Sequence, residues 1–64
     1  MSAELQTMVD KVTSEHGEKS ARVVYYEHNE LGVTFAAVLG ESGTVYHFNA
    51  YGDVSDYEAT PVTL

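Results

Sequence analysis

The chain has 64 residues, which is enough for one domain, and a domain of this size buries only about 60% of the surface that its unfolded chain exposes. It contains no cysteine, so a disulfide framework and a thiolate metal site are excluded. Ten acidic residues against three Lys and Arg give a net charge of −7 at pH 7. This balance disfavours direct binding to nucleic acids or anionic membranes, whose phosphates are bound by basic side chains. We expect one small acidic domain over residues 1–64, stable by on the order of a few kcal/mol.

Residues 3–15 carry the pattern of an amphipathic helix. Apolar side chains recur there at i, i+3, i+4 and i+7, which places them on one face: Leu5, Met8, Val9 and Val12. Ser2 is suited to cap the amino end of the helix, and Gly17 to end it. A single helix of this length needs a surface to pack on.

Beyond Gly17 the apolar period changes to two, which indicates β-strands. Three segments rich in β-branched and aromatic residues are separated by glycine-containing turns at 29–32 and 40–43, which predicts an antiparallel meander. The predicted strands are 21–28, 33–39 and 44–51. A short fourth strand is predicted from 57–60 and 62–64, at an edge of the sheet because Pro61 cannot donate to a ladder. The predicted fold class is α+β.

Alternation along the strands predicts which face of the sheet receives the helix. We expect that face to hold one alternating set from each of the second and third strands: Val33, Phe35, Ala37 and Leu39, with Tyr46, Phe48 and Ala50. The first strand is ambiguous, with Val23 and Tyr25 on one face and Val24 and Tyr26 on the other. The second face is then expected to hold one of these Val/Tyr pairs and Val38, Val45, His47 and Tyr51. One helix covers only one face, so this apolar surplus calls for a cover: the tail, a second copy or a partner.

The charges are unevenly distributed, since no Lys or Arg follows Arg22 while six acids do. Such a surface attracts a basic partner, although net charge can also serve solubility alone. Tyrosine, which is enriched at binding hot spots, is interleaved with acids in the tail. The candidate partner-binding residues are Tyr51, Asp53, Asp56, Tyr57 and Glu58.

No pattern points to catalysis or to a cofactor, and no catalytic, cofactor-binding or metal-binding residue is assigned. No serine lies in a Gly-x-Ser-x-Gly turn, and the Gly40–Gly43 turn has no neighbouring Lys to hold a phosphate. The three histidines, His16, His28 and His47, fall on different elements and lack the spacing of a metal site. Asp53, Asp56 and Glu58 could bind a hard cation weakly, without the ligand pattern of an EF-hand.

These observations favour a non-enzymatic protein-binding module, in its most specific form an inhibitor that occupies a basic surface of a partner protein. The alternatives are a self-associating structural or accessory protein, including a homodimer, and, less favoured, a role that depends on a divalent metal. In size and charge the chain is similar to small phage- or plasmid-encoded proteins that block a host enzyme, and no motif carries this similarity. The absence of cysteine and of a signal or membrane-spanning segment predicts a cytoplasmic location.

Overall fold

The computed structural model describes residues 3–51 and 58–62, with the backbone alone at 50, 51, 58 and 59. Its elements are one helix and four strands: α1 (Ala3–Glu15), β1 (Ala21–His28), β2 (Val33–Gly40), β3 (Val45–Tyr51) and β4 (Glu58–Val62). The strands form a single sheet in the order β1-β2-β3-β4, and each pairs antiparallel with its neighbour. The predicted α+β meander with an N-terminal helix is therefore confirmed.

The two hairpin turns between β1, β2 and β3 share one geometry. In the first, the Asn29 N–H donates to the Val33 carbonyl over 3.0 Å, and Gly32 follows at a φ of 81°. In the second, the Gly40 N–H donates to the Thr44 carbonyl over 2.9 Å, and Gly43 has a φ of 95°. A side chain disfavours this left-handed backbone, which explains why each turn ends in glycine.

The helix α1 lies across one face of the sheet and buries the face that its periodicity predicted. Met8 and Val12 are fully buried, and Leu5 and Val9 pack beside them. Gly17, at a φ of 70°, lets the chain leave the helix and turn toward β1, as a glycine after a helix end commonly does.

The core lies between α1 and the middle of the sheet. Its buried members share the helix side: Met8, Val12, Ala36, Val38, Tyr46 and Phe48. The register explains the sheet's part of this set, because Ala36 lies opposite Phe48 and Val38 opposite Tyr46. Tyr46 and Phe48 are as predicted, and the side chain of Ala50 lies outside the described residues. Val38 was predicted on the second face, and this was wrong, because it belongs to the alternating set of β2 that faces the helix.

The prediction for β2 was wrong for its whole set, because alternation places Val33 with Phe35, Ala37 and Leu39 away from the helix. Phe35 is exposed and Ala37 and Leu39 are half-buried, because these side chains lie on the face away from the helix. Both alternating sets of β2 are apolar, so alternation did not discriminate between them. The inward set contains Ala36 and Gly40, whose small size permits close packing, while Val33 is buried outside the core cluster.

A β-bulge in β1 resolves the ambiguity of that strand in an unexpected way. Val23 lies opposite Val38 and Tyr25 opposite Ala37, so Val24 is an extra residue without a partner on β2. Val23 therefore packs on the core, and Tyr26, rather than Tyr25, reaches the helix side. Neither predicted Val/Tyr pairing of the first strand holds, because a bulge shifts the alternation by one residue.

The strand β4 is an edge strand, as the position of Pro61 predicted. Pro61 lies opposite Tyr46 of β3 and contributes no N–H to the ladder. The described residues of the tail, 58–62, therefore widen the sheet by one strand beside β3.

Candidate binding face

The sheet surface opposite α1, here called the open face, is the main candidate site. Strand alternation and register place on it residues of all four strands: Arg22, Tyr25, Glu27, Phe35, Ala37, Leu39, Val45, His47, Asn49, Thr60 and Val62. Its large apolar side chains include Tyr25, 52% exposed, and Phe35, 37% exposed. A soluble domain exposes contiguous apolar and aromatic surface of this kind mainly where it binds something.

A shallow hollow of about 590 Å³ lies at the centre of the open face. Aromatic and small apolar groups form part of its lining, and polar side chains form the rest: Tyr25, Phe35, Ala37, His47, Asn49 and Thr60. Apolar surface with a few polar groups around it is the usual composition of a recognition site. The hollow is lined by residues of every strand, so it exists only when the whole sheet is formed.

The β1 side of the open face carries a tyrosine held by a carboxylate. The Tyr25 hydroxyl donates to Glu27 Oε2 over 2.5 Å, between residues two apart on the same side of the strand. This hydrogen bond to a carboxylate raises the pKa of Tyr25 above its ordinary value. The ring is thereby fixed beside a negative charge, an arrangement that suits a cationic group of a partner.

The candidate residues of the tail lie at or beyond the limits of the structure's description. Asp53, Asp56 and Tyr57 are outside it. For Tyr51 and Glu58 the backbone alone is described: Tyr51 pairs with Val33, and Glu58 pairs with Asn49. Their assignment to a partner-binding site stays a prediction, and Phe35 and Tyr25 are the exposed aromatic residues that the sequence reasoning missed as a site. The signal that could have found them is the doubly apolar composition of β2.

A cluster of hydrogen bonds around one carboxylate, just beyond the carboxyl end of α1, has a structural role. Glu18 is nearly buried, and its Oε1 accepts the Ser42 N–H over 3.0 Å while its Oε2 accepts the hydroxyls of Ser42 and Tyr46, each over 2.6 Å. The hydrogen bond from Ser42, and to a lesser extent that from Tyr46, lowers the pKa of Glu18. The hydrogen bond between Tyr46 and Glu18 in turn raises the pKa of Tyr46. The His16 ring lies 4.7 Å from that of Tyr46. This cluster fastens the helix end to the β2–β3 hairpin.

A second carboxylate fastens the amino end of α1. Glu4 Oε2 accepts the Tyr26 hydroxyl over 2.8 Å, and Glu4 Oε1 accepts the Thr34 hydroxyl over 3.1 Å. His28 Nδ1 lies 2.8 Å from the Thr34 oxygen. Because the Thr34 proton goes to Glu4, its oxygen accepts from the histidine, which sets the imidazole as an Nδ1–H donor. Thr34 is buried, so its hydroxyl lies between the helix and the sheet, and this chain of groups joins the two.

The histidines lie apart from one another, at the helix end, on the helix side of the sheet and on the open face. In residues 3–51 and 58–62, no three metal-binding side chains come together. Among the described elements, no helix combines the length and apolar character needed to cross a membrane.

Comparisons with known proteins give no relative from which a function could be carried over. No family model, no curated protein and no solved structure matches the chain.

Proposed function

We propose that this protein is a non-enzymatic binding module that docks the open face against a basic surface of a partner protein. The observation that carries the proposal is the exposed aromatic and apolar surface of the open face, centred on Phe35 and Tyr25. A partner that seats on this face removes apolar area from water, which is the main favourable term in association.

The net negative charge of the protein indicates that the partner surface is positively charged. The chain carries a net −7, and no Lys or Arg follows Arg22, so β2, β3 and β4 contribute neither Lys nor Arg to the open face, and Arg22 at the start of β1 is the one such side chain that its described strands place there. Glu27 brings a carboxylate to it beside the ring of Tyr25. A basic surface is steered to such a domain over long range and meets aromatic rings on contact, where Arg and Lys bind favourably.

The two carboxylate clusters support a binding role over a catalytic one. Glu4 and Glu18 are engaged by Tyr, Thr and Ser donors that hold α1 on the sheet. These contacts give the open face a rigid backing, and a preformed surface loses less entropy on binding. An inhibitor that occupies a basic, phosphate-binding surface of its partner is the specific form of this proposal.

The test uses a defined probe, a short fluorescent peptide in which Arg alternates with Leu, with a Glu–Leu peptide as the control. We expect the basic peptide to bind at low salt and to lose about tenfold or more in affinity at ~1 M salt, where the screening length falls to about 3 Å. The substitution F35S should weaken binding by about tenfold, as loss of an interface anchor does. The control L31S removes a side chain that is 87% exposed on the first turn, off the open face, and should leave binding unchanged.

The predicted tail site is tested with the same peptide. The triple substitution D53N, D56N and E58Q removes three charges, and we expect a further loss of affinity at low salt that disappears at high salt. Equal affinities of F35S and L31S would overturn the open face as the site. Equal binding of the basic and acidic peptides would overturn the charge preference.

A further inference from the structure

We infer that two copies of this protein pair through β1 about a twofold axis, with Arg22 of each copy opposite Glu27 of the other, to form one continuous eight-stranded sheet. This inference is argued from the edge of the sheet and not from the open face, although Glu27 takes part in both proposals. It starts from the two edges of the sheet, which differ in how they are protected. The β4 edge is short and contains Pro61. The β1 edge has eight residues without proline, and Val24, Tyr25 and Tyr26 are 49%, 52% and 41% exposed. A long apolar edge is a template for another strand unless something blocks it.

The hydrogen-bonding groups of β1 alternate between β2 and the outer edge. The Asn29 N–H bonds to Val33 in the turn, so alternation directs the backbone groups of Glu27 and Tyr25 to β2 and those of His28 and Tyr26 outward. Across the bulge the phase shifts, and Val23 and Ala21 become the outward-directed residues. The outer edge therefore offers four residues for a ladder, two on each side of the bulge.

The bulge gives β1 a pattern that reads the same from either end. The side chains at 21, 23, 26 and 28 lie on the helix side, and those at 22, 25 and 27 lie on the open face, with the extra Val24 between. Directly opposed residues of an antiparallel pair lie on the same face of a sheet. A strand without a bulge can place its side chains on the same faces as those of only one half of β1, because its own alternation continues unchanged past Val24. A second copy of β1, turned end for end, matches every position.

This twofold register also matches the charges. It places Val23 opposite Tyr26 of the other copy, and both residues direct their backbone hydrogen-bonding groups to the outer edge. It also places Val24 opposite Tyr25 of the other copy, and both side chains are exposed and apolar. It places Arg22 opposite Glu27, on the open face, at a position without ladder hydrogen bonds, where opposed side chains come closest. Among the described residues, no acid lies within ion-pair distance of Arg22, and the hydrogen bond of Glu27 is made by Oε2 to the Tyr25 hydroxyl, so Oε1 can accept from the guanidinium of the second copy. Each ion pair occurs twice by symmetry.

The test is a charge exchange read by sedimentation equilibrium of the full chain. Wild type should form a dimer, and R22E and E27R should each raise the dissociation constant by about tenfold or more, since each places like charges in opposition at two sites. The double variant R22E/E27R should restore the wild-type dissociation constant within about threefold, because it exchanges the two partners and keeps the net charge. K11E and D10R change the net charge as R22E and E27R do, but they lie on α1 and not at positions that this register opposes, and we expect them to leave the dimer intact.

Circular dichroism establishes that each variant is folded, and both altered side chains are exposed, so the fold should persist. A wild-type chain that is monomeric at ~1 mM, a concentration that populates even weak dimers, would overturn the inference. A dimer indifferent to R22E and E27R, or one that the double variant does not restore, would overturn this register.

Discussion

Glu18 shows how one residue of a small domain can join three elements. It follows α1 and Gly17, accepts hydrogen bonds from Ser42 in the second turn and from Tyr46 in β3, and lies against Gly40 at the end of β2. A carboxylate with three donors keeps its charge readily, which is why its pKa is lowered. The sequence places Glu18 in an ordinary connection, and no local pattern indicates its partners, because they lie more than 20 residues away in the chain.

The lowered pKa of Glu18 predicts an acid-sensitive contribution to stability. A carboxyl group whose pKa is lower in the folded than in the unfolded chain stabilises the fold above its ordinary value of 4.5. That contribution is lost as the pH falls through the lowered value of the folded state. We expect E18Q to be less stable than wild type at pH 7 in urea denaturation, and the difference between them to narrow as the pH falls below 4.5.

The control for this prediction is E41Q in the same turn region, at an exposed side chain. It should be nearly as stable as wild type at pH 7. A constant difference between E18Q and wild type across the acid range would show that the hydrogen-bonded charge of Glu18 does not contribute in this way.

Gly40 provides a second prediction at the residue scale. A Cβ added there would lie 2.7 Å from both carboxylate oxygens of Glu18, which three donors hold in place. We expect G40A to cost about 1–3 kcal/mol, the usual cost of forcing an added group into a packed site. In the E18A background the same substitution should cost much less, because the obstructing carboxylate is absent. Equal costs in the two backgrounds, measured by urea denaturation, would contradict this packing.

At the scale of elements, the sequence predicts the helix and the four strands well, and it predicts their faces less well. The helix has one clear apolar stripe, so Met8 and Val12 are identified directly. The two central strands have apolar residues on both faces. Which set of side chains faces the helix therefore depends on how closely each set can pack against α1. The bulge at Val24 has no sequence signal beyond two apolar residues in succession, so its shift of the first strand could not be predicted.

The two phenylalanines test the face assignment at this scale. Phe48 is 2% exposed against the helix, whereas Phe35 is 37% exposed on the open face. We expect F48A to cost about 3–5 kcal/mol, which is comparable to the stability of a domain this small, so that the variant is largely unfolded at 25 °C. The substitution F35A should leave the chain folded. Thermal and urea denaturation of both variants give the comparison, and a larger loss for F35A would mean that the helix packs on the other face.

At the scale of the whole molecule, the asymmetry of the sheet is the central feature. One face is covered by α1, and the other carries exposed rings around a hollow in a strongly acidic domain. The sequence predicts that the second face has an apolar surplus, and it correctly places Val45 and His47 there. It places the centre of the site in the tail, whereas the structure brings together Tyr25, Phe35 and His47, because strand register rather than sequence proximity determines which residues meet.

The most direct test of the central claim is to map where the Arg–Leu peptide binds, from the ¹⁵N–¹H spectrum of the protein titrated at low salt. We expect the largest shifts at residues around the hollow, such as Phe35, His47 and Thr60, and little change on the outer side of α1, represented by Gln6 and Asp10. Shifts spread over the backbone amides of all the acidic residues, or concentrated on α1, would contradict the claim that the open face is the binding surface.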